Sequence, residues 1–179
     1  MYKLVSVLAG LLLALALLPA QAATPMDPAT HFFNDTFGNY HEELANAKAE
    51  GKQGVFVFFE MDECPFCHYM KTHILNQPEI QAYYRQHFLN FPLDIEGDVE
   101  ITTFQNKVMK QKDFAFKVNR VRATPVLAFY DLNGKQVYRY TGRTADAQEF
   151  LWMGKYVAEG YYKKMPFIKF KRQMRKAAR

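Results

Sequence analysis

Gly54-Val55-Phe56-Val57-Phe58-Phe59-Glu60-Met61-Asp62-Glu63-Cys64-Pro65-Phe66-Cys67 is the stretch on which the reading of this chain turns. Its first six residues form a continuous apolar, β-rich run, the pattern of a strand buried on both faces. A short acidic connection follows. Beyond it, Cys67, Met70, Ile74 and Leu75 fall at helical spacing. A strand that feeds directly into a helix puts Cys64 at the helix N-terminus. There the unpaired N–H groups and the positive end of the dipole favour an anion. A thiolate is such an anion, and it is the attacking species in disulfide exchange. Pro65 suits the first helical turn because its missing N–H costs nothing there. Cys67, one turn further in, is placed to resolve a mixed disulfide. The expected redox pair is therefore Cys64 and Cys67.

Outward from this core, residues 39–51 suit a helix with Tyr40, Leu44 and Ala47 on one face and Gly51 to end it. Pro78 starts another helix, with Ile80, Tyr83 and Tyr84 as its apolar positions, and Phe88 to Ile95 reads as a strand. Residues 96–112 are polar and irregular, and Phe114 to Val118 reads as helical. Thr124-Pro125 then opens a strand through Tyr130, a permitted place for proline. Asn133-Gly134 is a hairpin signal leading into Lys135 to Tyr140, and a helix from Ala145 to Ala158 follows. Alternation first and a hairpin last predict an α/β domain whose sheet has an antiparallel end.

The chain has two cysteines, both in this motif. A bridge between them closes almost no loop, so it removes little unfolded-state entropy. Reactivity explains the pair better than stability does. At the N-terminus, Lys3 precedes an apolar run from Leu4 to Leu18, and Pro19-Ala20-Gln21-Ala22 ends in an A-x-A pattern. Residues 1–22 are accordingly expected to be a signal peptide, residues 23–160 the domain with residues 23–36 as a polar lead-in, and residues 161–179 a basic C-terminal tail. That tail carries eight Lys or Arg residues and no acid. Without those eight and Lys3, 14 basic residues remain of the 23, against 18 acidic ones. The body is mildly acidic, which argues against a nucleic-acid partner. The tail, with Phe167, Ile168 and Phe170, is a candidate for membrane-surface contact.

From Gly54 to about Ala158 the chain resembles the thioredoxin fold, a central mixed sheet flanked by helices. The matching parts are Val55-Phe56-Val57-Phe58-Phe59, Cys64-Pro65-Phe66-Cys67, Thr124-Pro125, and Asn133-Gly134 with Gly142. Within that superfamily it is most similar to the exported thioredoxins of bacterial sulfur-oxidation systems, on the segment Tyr156 to Phe167. The resemblance implies a periplasmic, monomeric thiol–disulfide oxidoreductase without a cofactor, acting on protein thiols and disulfides. It implies a dithiol reductant of protein disulfides or sulfur adducts, resupplied by a membrane thiol-electron transporter. It also implies a cis Pro125 facing the cysteines, with Thr124 backbone groups left to pair with a substrate strand. Threonine before this proline is typical of the family's reductants and isomerases.

Two departures from the family matter. Glu63 stands where many thioredoxins have tryptophan, and Phe58 where many carry a buried aspartate. Glu60, Asp62 and Glu63 are the nearby acids, and like charge opposes a thiolate.

Other readings of the motif exist. A disulfide oxidant or isomerase would use the same residues. Cys64 to His68 also spells C-x-x-C-H, a c-type haem attachment signal, which leaves the buried strand and Thr124-Pro125 unexplained. A zinc or copper site from Cys64, Cys67, His68 and His73 lacks a second well-spaced ligand pair, so no metal is expected.

Overall fold

Six of the seven residues of Gly54–Glu60 (β1) are buried, and β1 lies inside a four-stranded sheet with a strand on either side of it. The structure, a computed structural model, describes residues 24–178. The proposed signal peptide, residues 1–22, lies outside the described residues. A single helical turn, α1 (Pro28–His31), precedes α2 (Tyr40–Ala49), and β1 leads to α3 (Pro65–His73). Helix α4 (Pro78–His87) then runs straight into β2 (Phe88–Asp94). After a small hairpin, β3 (Glu100–Thr102) and β4 (Val108–Lys110), the chain returns through β5 (Val126–Tyr130) and β6 (Gln136–Thr141). Two helices finish it, α5 (Ala147–Ala158) and α6 (Phe167–Ala177). Strand β2 is parallel to β1, β5 is antiparallel to β1, and β6 is antiparallel to β5. This is the mixed thioredoxin-like sheet that the sequence predicts.

Alternation along the strands divides the interior in two. Phe56, Phe58, Leu127 and Phe129 face α3, α4 and α5, while Val55, Val57, Phe59, Ala128 and Tyr130 face α2 and the hairpin region. The face toward α3, α4 and α5 is packed largely with aromatic rings. Tyr84 stacks on Phe150 with centroids 4.3 Å apart and donates its hydroxyl hydrogen to the Phe150 carbonyl at 2.8 Å. Such pairs add to stability beyond the area they bury.

Three segments depart from expectation. Residues 23–36 are no mere lead-in: Phe32 and Phe33 are core residues, and Asn34 exchanges hydrogen bonds with Asn90 of β2, donating its N–H to the Asn90 carbonyl and accepting the Asn90 N–H on its side-chain oxygen. Two adjacent aromatics in a polar stretch carry no period, so sequence spacing could not assign them a side. Residues 96–112 hold the β3–β4 hairpin, whose three-residue strands are too short to show alternation. Phe114 to Val118 is helical, as expected, and takes the form of a π-helical turn. The basic tail is also part of the body. Phe167 and Phe170 of α6 are buried, and Lys171 pairs with the buried Glu149 at 2.6 Å. The i, i+3, i+7 stripe of Phe167, Phe170 and Met174 is a docking face, masked in the sequence by the cations around it.

Candidate active site

Strand β1 ends at Glu60, and four residues later the chain enters α3. Cys64 is the N-cap of that helix in extended backbone, and Pro65 occupies its first turn. The Cys64 Sγ accepts the Cys67 backbone N–H at 3.1 Å, satisfying one of the helix's free donors. Cys64 and Cys67 are joined in a disulfide with Cα atoms 5.2 Å apart. Cys64 keeps 6% of its surface and Cys67 2%, so the first cysteine is the more accessible.

A hollow of about 170 Å³ opens beside the pair, lined by Glu60, Asp62, Cys64, Cys67, His68, Lys71 and Asp94, with Met61. Glu60 and Lys71 form an ion pair at 2.6 Å in its wall. Burial pushes the Glu60 carboxyl up from its ordinary value. Lys71 opposes that shift, and the nearby Asp94 and Asp62 add to it. Glu60, two positions beyond Phe58, is thus one of three carboxyl-bearing residues that line the cysteine hollow, with Asp62 and Asp94. Sequence reasoning named Glu60 but missed Lys71. Its spacing was the available signal, because positions 64, 67, 68 and 71 share one face of a helix.

Thr124 and Pro125 lie where β5 begins. Val126 pairs with Phe59, so these two residues and the Glu60–Cys64 connection leave the sheet at the same end. The Thr124–Pro125 peptide bond is cis. Gly142, at φ +95° where a side chain would be strained, donates its N–H to the Pro125 carbonyl at 2.8 Å. Among the described residues, neither the N–H nor the carbonyl of Thr124 has a backbone partner. Arg143, next in the chain, reaches α3: its guanidinium lies 4.6 Å from the Tyr69 ring centroid and 5.9 Å from that of the exposed Phe66. Sequence reasoning passed over Arg143, whose only signal was its place after Gly142. His68 is exposed at the rim, and His73 stacks on Tyr69 at 4.4 Å, away from the hollow's lining. Among the described residues no group of three or more His, Cys, Asp or Glu side chains could hold a metal ion.

Residues 40–158 match the family model described as a thioredoxin-like domain. No curated protein matches the chain. Among solved structures, a thioredoxin-fold protein from Helicobacter pylori is 20% identical, with a TM-score of 0.58 over 69% of this chain and 87% of that one. The C-terminal domain of Neisseria meningitidis DsbD in its reduced form is 20% identical, with a TM-score of 0.52 over 70% of this chain and 99% of that one. A thioredoxin from Thermus thermophilus is 25% identical, with a TM-score of 0.52 over 66% of this chain and 83% of that one.

Proposed function

Because the chain belongs to the thioredoxin-like family and is a thiol–disulfide oxidoreductase, we propose that it works as a reductant of protein disulfides or sulfur adducts. The observation that carries this direction is the company the cysteines keep. Three carboxyl groups, Glu60, Asp62 and Asp94, share their hollow with one lysine, which is already paired. Negative charge disfavours the Cys64 thiolate. A dithiol whose reduced form gains little stabilisation gives its electrons up more readily.

In the forward direction the Cys64 thiolate attacks one sulfur of a substrate disulfide. The Cys64 Sγ–S bond forms, the substrate S–S bond breaks, and the departing substrate thiolate takes a proton. Cys67 then loses its proton, for which Glu60 is the nearby acceptor, and attacks the Cys64 sulfur. The second substrate thiolate leaves, and Cys64 and Cys67 end as a disulfide. Two electrons have passed from the dithiol to the substrate. Thr124, with its free backbone groups, is the proposed pairing site for an extended substrate segment, and Pro125 is the second substrate-binding residue.

The reading extends to place. The apolar run from Leu4 to Leu18 and the A-x-A pattern support export to the periplasm, with residues 1–22 removed. A reductant there needs an electron source, and a membrane thiol-electron transporter is the proposed one. The segment from Tyr156 to Phe167 supports sulfur adducts as substrates, as in sulfur-oxidation systems. The reduction potential of the Cys64–Cys67 couple tests the direction. It is expected closer to thioredoxin, about −270 mV, than to a strong periplasmic oxidant, about −120 mV. A value near the latter would reverse the assignment to oxidant.

A further inference from the structure

Helix α6 has two unlike sides. Phe167 and Phe170 are buried, with the Phe170 ring 5.5 Å from Tyr156 and 4.6 Å from Tyr161, and Lys171 reaches Glu149 on the same side. At about 100° per residue, the opposite side presents Ile168, Lys169, Arg172, Arg175 and Lys176. All five are exposed, Ile168 by 56%. Among the described residues none of these four cations forms an ion pair.

We propose that this outward face of α6 docks on an anionic lipid bilayer. Ile168 and the aliphatic stems of Lys169, Arg172 and Lys176 line a shallow hollow with Pro166 and Gln173. Lysine and arginine stems lie along apolar surface while their heads reach for polar or charged groups. An apolar centre ringed by cations is the arrangement of a helix lying in a bilayer interface, its apolar part at the acyl boundary and its charges among the headgroups. A nucleic acid or an acidic polypeptide would use the cations but has no need of an exposed isoleucine among them. The rest of the chain supports the same orientation. Residues 161–179 hold eight basic residues and no acid, whereas the body beyond residue 22 has 14 basic against 18 acidic residues. On a negative surface the helix is drawn inward and the body is repelled outward.

Co-sedimentation of the full chain with phosphatidylglycerol-containing vesicles, against pure phosphatidylcholine vesicles, tests this. The parent should partition onto the anionic vesicles, and rising salt should release it. The triple variant Lys169→Gln, Arg172→Gln, Lys176→Gln should lose about a hundredfold in partition coefficient, from the contribution of each basic residue near such a surface. Ile168→Ser should lose severalfold. Neither variant touches Phe167, Phe170 or Lys171, so insulin reduction should be unchanged. If the triple variant does not fold, the single Ile168→Ser change still decides. Equal partition of parent and variants would overturn the proposal, as would equal binding to neutral and anionic vesicles. Binding to polyglutamate or DNA as tight as to vesicles, and indifferent to Ile168→Ser, would overturn it in favour of an acidic macromolecule.

Discussion

Glu60, the last residue of the central strand, and Lys71, in the second turn of the redox helix, meet at 2.6 Å in the wall of the hollow beside the disulfide. The carboxyl group is raised by burial in spite of this partner. The folded protein therefore keeps a proton on Glu60 at pH values where the unfolded chain has released it.

A pH dependence follows, with a definite sign. In the unfolded chain a glutamate titrates near about 4.3. From there up to the higher folded value the native state binds more protons, so Glu60 makes stability fall as pH rises. Above both values its contribution is constant. Glu60→Gln abolishes this fall. Urea unfolding of both proteins from pH 4 upward should show the variant gaining on the parent across that window and running parallel beyond it. A gap that does not change with pH would contradict the assignment.

The two cysteines should behave differently when one is removed. Cys64 caps the helix and is the more accessible, and Cys67 sits deeper. Cys67→Ser should accumulate mixed disulfides with substrate proteins, visible on non-reducing gels, because nothing resolves them. Cys64→Ser should accumulate few. The opposite pattern would assign the attack to Cys67.

Asp62 and Glu63 precede the attacking sulfur and are exposed. Replacing them with Asn and Gln should lower the Cys64 thiol pKa and make the couple more oxidising. Exposed charge pairs are worth about 0.2–1 kcal/mol, which corresponds to about 5–20 mV for this two-electron couple. Equilibration with glutathione measures it, and a shift toward more reducing values would contradict the charge argument.

Lys171 neutralises a carboxylate that is almost fully enclosed: Glu149 is 3% exposed. Lys171→Met should cost about 3–5 kcal/mol, because it leaves a buried charge without its partner. Hydrogen exchange should show α6 losing protection first. Unchanged protection there would mean that the aromatic contacts alone dock the helix.

Gly154 in α5 has no room for a side chain. A Cβ there would come within 2.9 Å of the Tyr84 ring and 3.1 Å of the Tyr83 ring. Tyr84 is held by its stacking on Phe150 and its hydrogen bond, so it cannot easily yield. Gly154→Ala should cost about 1–3 kcal/mol, a fall in Tm of about 2–12 °C. A Tm equal to the parent's would show that the rings can move.

Much of the fold was legible where sequence pattern and burial share one cause. The run from Val55 to Phe59 is apolar throughout because both faces of the strand are covered. Pro65 and Pro78 mark helix starts because a first turn needs no N–H there. Phe32, Phe33 and Phe167 were harder to assign, since polar or basic neighbours outnumber them locally and their burial depends on distant partners. At the site, the cysteines were legible from local spacing alone. The Glu60–Lys71 pair and the reach of Arg143 to Tyr69 join residues from different elements. Only the packed structure brings those together.

The family match ends at residue 158, but the protein's apolar surface is not closed there. Phe167 lies 5.6 Å from Tyr138 of the edge strand and 5.3 Å from Tyr156. A chain cut at the family boundary would bare those rings beside an unprotected sheet edge, the kind of surface on which copies stick to one another. The first turn of α6, which carries Phe167 and Phe170, thus acts as a cap against self-association, and a fragment meant to stay dispersed has to include it.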